Sequence, residues 1–339
     1  MNISVFGSGA WGTAIALLLH DNGHQVTLWS KYKDEIDIIR QNRENPLLKG
    51  VAIPDDIVMV HDLAEATRGA GALVIAVPSF AVRETVESLK GRIEEGGLII
   101  CMSKGIEKDT QCLFTDIIRS TLGDGIPISA VSGPTHAEEV SRRIPTACVA
   151  ASEDIEIAER VQGLLMNENF RVYTSTDVIG VELGAALKNI IALSAGICDG
   201  LNLGDNTIAT LITRGIAEMA ELCVKMGGSK ETLAGLAGLG DLIVTCMSRH
   251  SRNRRAGVLV GKGMAITDAM REVGAVVEGY YAAKAAYDMA AAMDVEMPIC
   301  LQAYKVLYEG KSPYEAIREL MNRSRKSEQS TGAEPWVTM

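Results

Sequence analysis

Three glycines at G-x-G-x-x-G spacing, set between two apolar runs, constrain the fold of this chain more than any other feature. The run before them, from Asn2 to Phe6, alternates and predicts a short buried strand, and the continuous apolar run after them predicts a helix. Gly7 permits the tight turn, Gly9 lets a pyrophosphate approach the backbone, and Gly12 lets the helix pack close to the strand. A turn without a ligand also uses glycine, but the position between a strand and a helix favours dinucleotide binding, with the phosphates at the helix N-terminus.

Length and charge narrow the classes of protein that this chain can belong to. A chain of 339 residues is too long for one ordinary core, so we expect two domains. The net charge of −10 argues against binding to nucleic acid or to an anionic membrane.

The cysteines and the apolar segments indicate the cellular compartment of the protein. Seven cysteines are scattered without a C-x-x-C pair or a histidine cluster, which favours reduced thiols over a disulfide framework or a zinc site, and we expect no metal. The first Lys or Arg is Lys31, so the apolar start is not preceded by the positively charged segment of a signal peptide. No uninterrupted apolar stretch is long enough for a bilayer, and we expect a cytoplasmic protein without stable membrane insertion.

Apolar strands alternate with amphipathic helices through the first half of the chain. This alternation predicts an α/β fold with an N-terminal Rossmann-type, doubly wound, mostly parallel sheet. Ligands of such sheets bind beyond the carboxyl ends of the strands, so residues that follow strand ends should gather on one rim. The expected strands after the first are Gln25–Trp29, Asp56–Val60, Ala72–Val77, Leu98–Met102, Pro127–Val131, Thr146–Ala151 and Phe170–Thr174. The expected rim residues are Ala10, Ser30, Pro78, Lys104 and Gly133.

Strand signals vanish from about Asp177, and long helical stretches rich in Ala, Leu, Ile and Met follow. They predict a C-terminal all-helical domain. The expected organisation is a dinucleotide-binding domain at 1–177, a helical substrate and catalytic domain at 178–322, and a polar, disordered tail at 323–339. The helical stretches are Val178–Ile197, Asn206–Met226, Glu231–Leu236, Ala265–Val273, Glu278–Ala292 and Leu301–Tyr308.

The end of the second predicted strand bears on the choice of cofactor. Many NAD-specific sites place an acidic residue here for the ribose 2′-hydroxyl, whereas this chain has Ser30 and Lys31. A hydroxyl and a cation suit a 2′-phosphate, and the alternative is a solvated loop lysine. We predict that NADPH is accepted at least as well as NADH.

Lys188 is a lone charge in an otherwise apolar helical stretch. Burial lowers the pKa of a lysine towards the working range of a general acid, whereas a lysine that snorkels to the surface would keep its ordinary pKa. Asp241 is likewise isolated among apolar residues after a glycine turn. It could hold a lysine or a substrate hydroxyl, or it could cap the next helix.

Four arginines lie within seven residues between Arg249 and Arg255. Guanidinium groups with neighbouring hydroxyl and amide donors suit a phosphate dianion. A nucleic-acid patch is the rival interpretation, but the segment is short and lacks interleaved aromatic residues. A solvated basic turn is the other alternative.

At these residues the chain resembles the bacterial NAD(P)-dependent glycerol-3-phosphate dehydrogenase family. The resemblance runs in order from residue 3 to about 320 and leaves the tail uncovered. The matching motifs in the first half are Gly7-Ser8-Gly9-Ala10-Trp11-Gly12-Thr13, Val77-Pro78-Ser79 with Arg83, Ser103-Lys104-Gly105-Ile106-Glu107 and Gly133-Pro134-Thr135-His136-Ala137. Those in the second half are Leu187-Lys188-Asn189, Gly204-Asp205-Asn206-Thr207, Gly238-Leu239-Gly240-Asp241-Leu242, Ser251-Arg252-Asn253-Arg254 and Glu278-Gly279.

The resemblance implies reversible hydride transfer between NAD(P)H and dihydroxyacetone phosphate, giving sn-glycerol 3-phosphate for glycerophospholipid synthesis by a homodimer. It implies Lys188 as the proton donor to the carbonyl oxygen, supported by Lys104 and Asp241. The expected substrate-binding residues are Lys104, Gly133, Thr135, Lys188, Asn189, Asp241, Thr245, Ser251, Arg252 and Asn253. The expected cofactor-binding residues are Gly7, Gly9, Ala10, Trp11, Gly12, Lys31, Tyr32, Pro78, Lys104, Ala137, Arg252, Val276 and Glu278.

The chain departs from the family pattern at two positions. Ile208 stands where the family usually has a basic residue, and Thr135 replaces the commoner serine but keeps the hydroxyl. Two other functions stay open at this stage: another β-hydroxyacid-type dehydrogenase, which would act on a carboxylate, and a non-catalytic nucleotide-sensing protein.

Overall fold

The structure is a computed structural model that describes residues 1–325, 327 and 328. Its strands in chain order are β1 Asn2–Phe6, β2 Gln25–Trp29, β3 Val58–Val60, β4 Ala72–Ile75, β5 Leu98–Cys101, β6 Ile128–Ser132, β7 Thr146–Ala151 and β8 Phe170–Ser175. Within the described residues these strands form one sheet in the order β3-β2-β1-β4-β5-β6-β7-β8. Every neighbouring pair is parallel except β6 and β7, which are antiparallel. The predicted mostly parallel sheet is confirmed.

Helices cover both faces of the sheet because the buried strands are apolar on both sides. Along β1, Ile3 and Val5 pack into one hydrophobic layer and Phe6 into the other, as the two-residue period of a strand requires. The helices of this half are α1 Ala10–Asp21, α2 Lys33–Asn42, α3 Leu63–Thr67, α4 Val82–Ser88, α5 Phe114–Leu122, α6 Ala137–Val140 and α7 Ile155–Leu165. Helices α1, α2, α6 and α7 share a layer with Ile3, and α3, α4 and α5 share the layer of Phe6.

Only helices and connecting segments follow Ser175 among the described residues, as predicted. The helices are α8 Val178–Gly200, α9 Asp205–Lys225, α10 Lys230–Ala234, α11 Asp241–Met247, α12 Arg252–Gly261, α13 Ile266–Val273, α14 Glu278–Met293, α15 Pro298–Tyr308 and α16 Pro313–Met321, with a π-helical turn Leu236–Gly240 before α11. The sequence prediction named no helix at α2, α3, α5, α6, α12 or α16, and it gave the helix that begins at Asp241 only as an alternative. Residues 323–325, 327 and 328 lie outside helices and strands, and the rest of the predicted tail falls outside the described residues.

Helix α8 is the centre of the helical half. It is long and apolar enough to cross a membrane by length and composition, with a mean hydropathy of 1.6, but 83% of that apolar window is buried inside the protein. Its side chains share one hydrophobic cluster with those of α9, α11, α14 and α15. Packing against these helices on all sides accounts for its apolar composition.

Four glycines let α8 and α12 cross at very close range. A Cβ added at Gly196 would lie 2.1 Å from the carbonyl oxygen of Arg254, and one at Gly257 would lie 2.0 Å from that of Leu193. Gly200 and Gly261 form the same kind of contact one turn along. No larger residue fits at these positions without separating the helices.

Glu182 joins α8 to the sheet half of the molecule. Its buried carboxylate accepts hydrogen bonds from the backbone N–H groups of Phe114 and Thr115, at 3.0 and 3.2 Å, and from the Thr115 hydroxyl. These donors form the first turn of α5, whose N–H groups have no partner within the helix. Burial raises the pKa of Glu182 to about 7.

Candidate active site

The glycine loop between β1 and α1 has the form that the sequence predicts. Gly7 has a φ of +121°, and a Cβ there would lie 2.5 Å from the carbonyl oxygen of Ala76. A Cβ at Gly12 would lie 1.8 Å from the carbonyl oxygen of Gly7, so helix and turn touch there. Around Gly9, in contrast, nothing lies within 4 Å of the Cβ position. The N-terminus of α1 has no side-chain cap, so its N–H groups are open to an anion.

Two side chains fix this loop and the start of α1. Asn45, buried to 1% exposure, donates hydrogen bonds to the carbonyl oxygen of Ser8 at 2.8 Å and to the hydroxyl of Thr13 at 2.7 Å. The indole N–H of Trp11 donates to the carbonyl oxygen of Met102 at 3.1 Å, beyond the end of β5. Ala10 is half-buried at the start of α1. Nothing in the sequence pointed to Asn45, because its role depends on the loop after α2 folding back over the glycines.

Lys104, Asp241 and Lys188 meet at the carboxyl edge of the sheet, although they come from three separate parts of the chain. Asp241 Oδ1 lies 2.5 Å from Lys188 Nζ, and Asp241 Oδ2 lies 2.9 Å from Lys104 Nζ. Lys188 also donates to the hydroxyl of Thr245 at 2.9 Å, one turn after Asp241 on α11. Asp241 is thus the bridge between two ammonium groups, and the prediction that it could hold a lysine is confirmed.

Burial decides the electrostatics of this cluster. Lys188 and Asp241 have 6% and 2% of their side-chain surface exposed. Burial lowers the pKa of Lys188 to about 8, although the carboxylate of Asp241 opposes this shift. Burial alone would raise the pKa of Asp241, but the charges of Lys104 and Lys188 outweigh it and hold that pKa below its ordinary value. The site therefore holds an ammonium group whose pKa is close to neutral pH.

The loop after β6 completes the surroundings of Lys104. Its ammonium donates to the carbonyl oxygen of Gly133 at 2.9 Å and to the hydroxyl of Thr135 at 3.1 Å. His136 follows, with its Nε2 buried and without a hydrogen-bond partner among the described residues. Burial, and then the charges of Lys188 and Lys104, lower the pKa of His136 and so favour its neutral ring. Its ring centroid lies 6.3 Å from that of His250.

Glu278, the first residue of α14, links the helical half to the rim of the sheet. Its carboxylate accepts a hydrogen bond from the backbone N–H of Ser79 at 3.2 Å. A Cβ at Gly105, where φ is +145°, would lie 2.9 Å from Ser79 Cβ, so the loops after β4 and β5 touch here. Burial raises the pKa of Glu278. Of the remaining predicted cofactor residues, Pro78 is exposed, Val276 half-buried and Ala137 buried.

The arginine run between α11 and α12 does not act as one group. Arg252 is exposed at the first position of α12 and forms no ion pair within the described part of the chain. Arg254 instead pairs with Asp199 on α8 at 2.5 Å. Ser251 is the N-cap of α12, and its hydroxyl accepts from the N–H of Arg254 at 3.2 Å.

Asn189 and Asn253 bind each other beside Lys188. The amide of Asn253 donates to Asn189 Oδ1 at 2.9 Å, and its Oδ1 accepts from the N–H of Gly279 at 2.8 Å. This buried pair joins α8, α12 and α14, so it sets the distance between Lys188 and Arg252. Ile208, at the usually basic position, lies in the first turn of α9 and packs against the helical core.

The end of β2 holds a carboxylate that the sequence analysis missed. Ser30 is buried and its hydroxyl donates to Glu35 Oε2 at 3.3 Å. Lys31 is exposed and pairs with Glu84 at 2.5 Å, and Tyr32 is 59% exposed. Glu35 lies in the first turn of α2, beyond the position where an acidic residue is usually sought.

Comparisons with known proteins agree with this geometry. The family model described as NAD-dependent glycerol-3-phosphate dehydrogenase N-terminus matches residues 2–158, and the family model of the corresponding C-terminus matches residues 177–318. A protein of Fusobacterium nucleatum named glycerol-3-phosphate dehydrogenase [NAD(P)+] is 51% identical over 330 residues, which cover 97% of this chain and 98% of that protein. A protein of the same name from a Thermoanaerobacter species is 50% identical over 328 residues, covering 97% of this chain and 99% of that protein.

A solved structure gives the same result. The crystal structure of glycerol-3-phosphate dehydrogenase from Coxiella burnetii has a TM-score of 0.91 at 38% identity and covers 95% of this chain and 99% of that one. With both family models matched and relatives at half identity over nearly the whole length, the chain belongs to the NAD-dependent glycerol-3-phosphate dehydrogenase family of oxidoreductases.

Proposed function

We propose that this protein reduces dihydroxyacetone phosphate to sn-glycerol 3-phosphate with NADPH or NADH, reversibly. The observation that carries the proposal is the buried ammonium of Lys188, bridged by Asp241 to Lys104 at the rim of a sheet whose first turn is an open glycine loop. When bound, the nicotinamide supplies or takes up the hydride. The chain itself must supply a proton, an anion clamp and orientation.

Lys188 is the proton donor to the carbonyl oxygen in this proposal, and it accepts the proton in the reverse direction. Its pKa of about 8 suits both directions near neutral pH. Asp241 keeps the amine charged and aims it, together with the hydroxyl of Thr245. Lys104 adds a second positive charge that stabilises negative charge developing on the substrate oxygen.

The substrate phosphate is assigned to Arg252, whose guanidinium is exposed and forms no ion pair within the described residues. An arginine binds a phosphate through two parallel hydrogen bonds, which fixes orientation as well as affinity. The hydroxyl of Ser251, which caps α12, and the Asn189–Asn253 pair fix the start of the helix that carries this arginine. The proposed substrate set remains Lys104, Gly133, Thr135, Lys188, Asn189, Asp241, Thr245, Ser251, Arg252 and Asn253.

The glycine loop fits a dinucleotide, because the space at Gly9 is open and the N-terminus of α1 is uncapped. Glu278 and the loops after β4 and β5 are the groups available to the nicotinamide end. We propose that NADPH is accepted at least as well as NADH, through Lys31. The proposed cofactor set remains Gly7, Gly9, Ala10, Trp11, Gly12, Lys31, Tyr32, Pro78, Lys104, Ala137, Arg252, Val276 and Glu278.

The wider biological assignments are proposals of the same kind. We infer a dinucleotide-binding domain at 1–177 and a helical catalytic domain at 178–322, supported by the change from strands to helices between Ser175 and Val178. We infer a cytoplasmic homodimer that supplies glycerophospholipid synthesis and binds neither nucleic acid nor membrane. The net charge of −10 and the burial of α8 in the helical core support the last point.

An absorbance assay at the nicotinamide band tests the reaction. We expect oxidation of NADPH or NADH with dihydroxyacetone phosphate and none with small keto acids. Oxidation with the keto acids alone would show a β-hydroxyacid-type dehydrogenase instead. Lys188→Ala should lower kcat by several orders of magnitude while cofactor binding persists, and near wild-type turnover in this variant would refute the role given to Lys188.

A further inference from the structure

Glu35 lies where the adenosine ribose of a dinucleotide is expected. Its Oε2 accepts hydrogen bonds from the hydroxyl of Ser8, inside the glycine loop, and from that of Ser30, directly after β2, both at 3.3 Å. In dinucleotide-binding folds the ribose lies between these two segments. Both hydroxyls bind the same oxygen, and within the described part of the chain Oε1 has no hydrogen-bond partner. One carboxylate oxygen is therefore anchored and the other is available.

We propose that Glu35 sets the discrimination between NADH and NADPH, by accepting a hydrogen bond from the ribose 2′-hydroxyl and repelling a 2′-phosphate. The inference rests on the proposed function, since it concerns the cofactor of that reaction. An acidic residue normally performs this task from the end of β2 itself. Here Ser30 occupies that end, and its hydroxyl instead steadies a carboxylate that reaches back from α2.

The opposite preference has its own residue nearby. Lys31 directly follows Ser30, and its amine pairs with Glu84 on α4. With 53% and 66% of these side chains exposed, the pair is worth little and can open for a 2′-phosphate. The ribose site thus has an acidic arm, Glu35, and a basic arm, Lys31. The balance between these two side chains sets the ratio of the affinities for NADH and NADPH.

Isothermal titration calorimetry of the full-length enzyme with NAD+ and with NADP+, without substrate, tests the role of the acidic arm, Glu35. Glu35→Gln keeps the side-chain length but removes the charge, so we expect the ratio of Kd(NAD+) to Kd(NADP+) to rise about tenfold or more. ADP-ribose and its 2′-phosphorylated form should show the same change, since they lack the nicotinamide. Glu35→Asp, too short to reach both serines, should also weaken NAD+ binding.

Asp34→Asn is the matched control, because it removes the same charge from the same exposed turn of α2. Its Kd ratio should stay within about twofold of wild type. For the basic arm, Lys31→Met should lower the ratio of Kd(NAD+) to Kd(NADP+), whereas Lys33→Met, which removes a lysine paired with Asp37, should not.

The possible outcomes distinguish a failure of this inference from a failure of the proposed function. If Glu35→Gln leaves the Kd ratio unchanged, or changes it no more than Asp34→Asn, the inference is wrong even though dihydroxyacetone phosphate is still reduced. If the wild-type enzyme binds neither dinucleotide, the proposed function fails and this inference fails with it.

Discussion

Replacing Asp241 by asparagine removes one charge from the centre of the site while nearly preserving its shape. In the wild-type enzyme the carboxylate oxygens lie 2.5 and 2.9 Å from the ammonium groups of Lys188 and Lys104. Two unit charges about 4 Å apart attract by roughly 4 kcal/mol at an effective dielectric constant of about 20. At about 1.4 kcal/mol per pKa unit, losing this attraction lowers the pKa of Lys188 by about three units. The uncompensated charge of Lys104 acts in the same direction.

The pKa of Lys188, about 8 in the wild type, should therefore fall to about 5 in Asp241→Asn. Reduction requires the ammonium form, so activity is present below this pKa and is lost as pH rises through it. At pH 7 the wild-type lysine is mostly charged and the variant lysine is about 1% charged. We expect kcat/KM for reduction to fall about 100-fold at pH 7 and to recover as pH approaches 5.

The assay is the pH profile of kcat/KM for dihydroxyacetone phosphate with NADPH, measured between pH 5 and 9. Thermal unfolding checks that the variant is folded. Asp199→Asn is the control, because Asp199 lies about three turns, roughly 16 Å, along α8 from Lys188 and pairs with Arg254, so its loss should leave the midpoint unchanged. A variant profile with the wild-type midpoint and only a lower plateau would refute the electrostatic argument.

Three further predictions concern the clamp, the helix crossing and a buried carboxylate. Arg252→Ala should raise KM for dihydroxyacetone phosphate by ten- to a hundredfold, since it removes a charge-assisted clamp of about 1.5–3 kcal/mol. Steady-state kinetics should show little change in Arg255→Ala, and an unchanged KM in Arg252→Ala would contradict the assignment. Gly257→Ala should lower the free energy of unfolding in urea by about 1–3 kcal/mol, because its Cβ would lie 2.0 Å from a carbonyl oxygen of α8. Gly163→Ala on α7 is the control, because a Cβ there meets open space, and it should raise the free energy of unfolding by up to about 1 kcal/mol. Equal effects of the two substitutions would refute the close contact between α8 and α12. Burial raises the pKa of Glu182 from 4.5 to about 7, so this group contributes stability that is complete below about pH 4.5 and is lost as pH rises through about 7. Glu182→Gln should therefore flatten the pH dependence of the unfolding free energy by about 2.5 kcal/mol between pH 5 and 8, and a curve parallel to that of the wild type would count against this role of Glu182.

The meeting of Lys104 with Gly133 was predictable without any knowledge of packing. Both residues follow strands, and parallel strands place their carboxyl ends on one edge whatever their order in the sheet. The burial of Lys188 was predictable for a similar reason, since its neighbours along the helix are apolar on every side. What the sequence left open was the partner of Asp241, because a carboxylate at a helix start serves equally well as a cap.

The arginine run between Arg249 and Arg255 shows what the sequence alone could not predict, namely which of its side chains lie on the same face. Consecutive residues of a helix point about 100° apart, so a run of arginines that looks like one cluster is divided among different faces once the segment is helical. Arg252 is left exposed, while Arg254 turns back to Asp199. The run also hid α12 itself, because dense positive charge without an apolar stripe is typical of a loop. Glu35 was missed for a related reason, since its reach to Ser8 depends on how α2 leaves the sheet.

The glycines of α12 explain how a charged, half-buried helix keeps a fixed place beside a buried one. Gly257 lies against the backbone of α8, and a hydrophobic side chain there would push the two helices apart. One turn earlier on α12, Asn253 reaches Asn189, the residue next to Lys188. The distance between the proposed proton donor and the proposed phosphate clamp is therefore set by backbone contact, which varies far less than contact between long side chains. The G-x-x-x-G spacings at Gly196 to Gly200 and Gly257 to Gly261 can be read from the sequence. Only the fold shows that these two face each other, so the geometry of the site depends on a pairing that no single segment encodes.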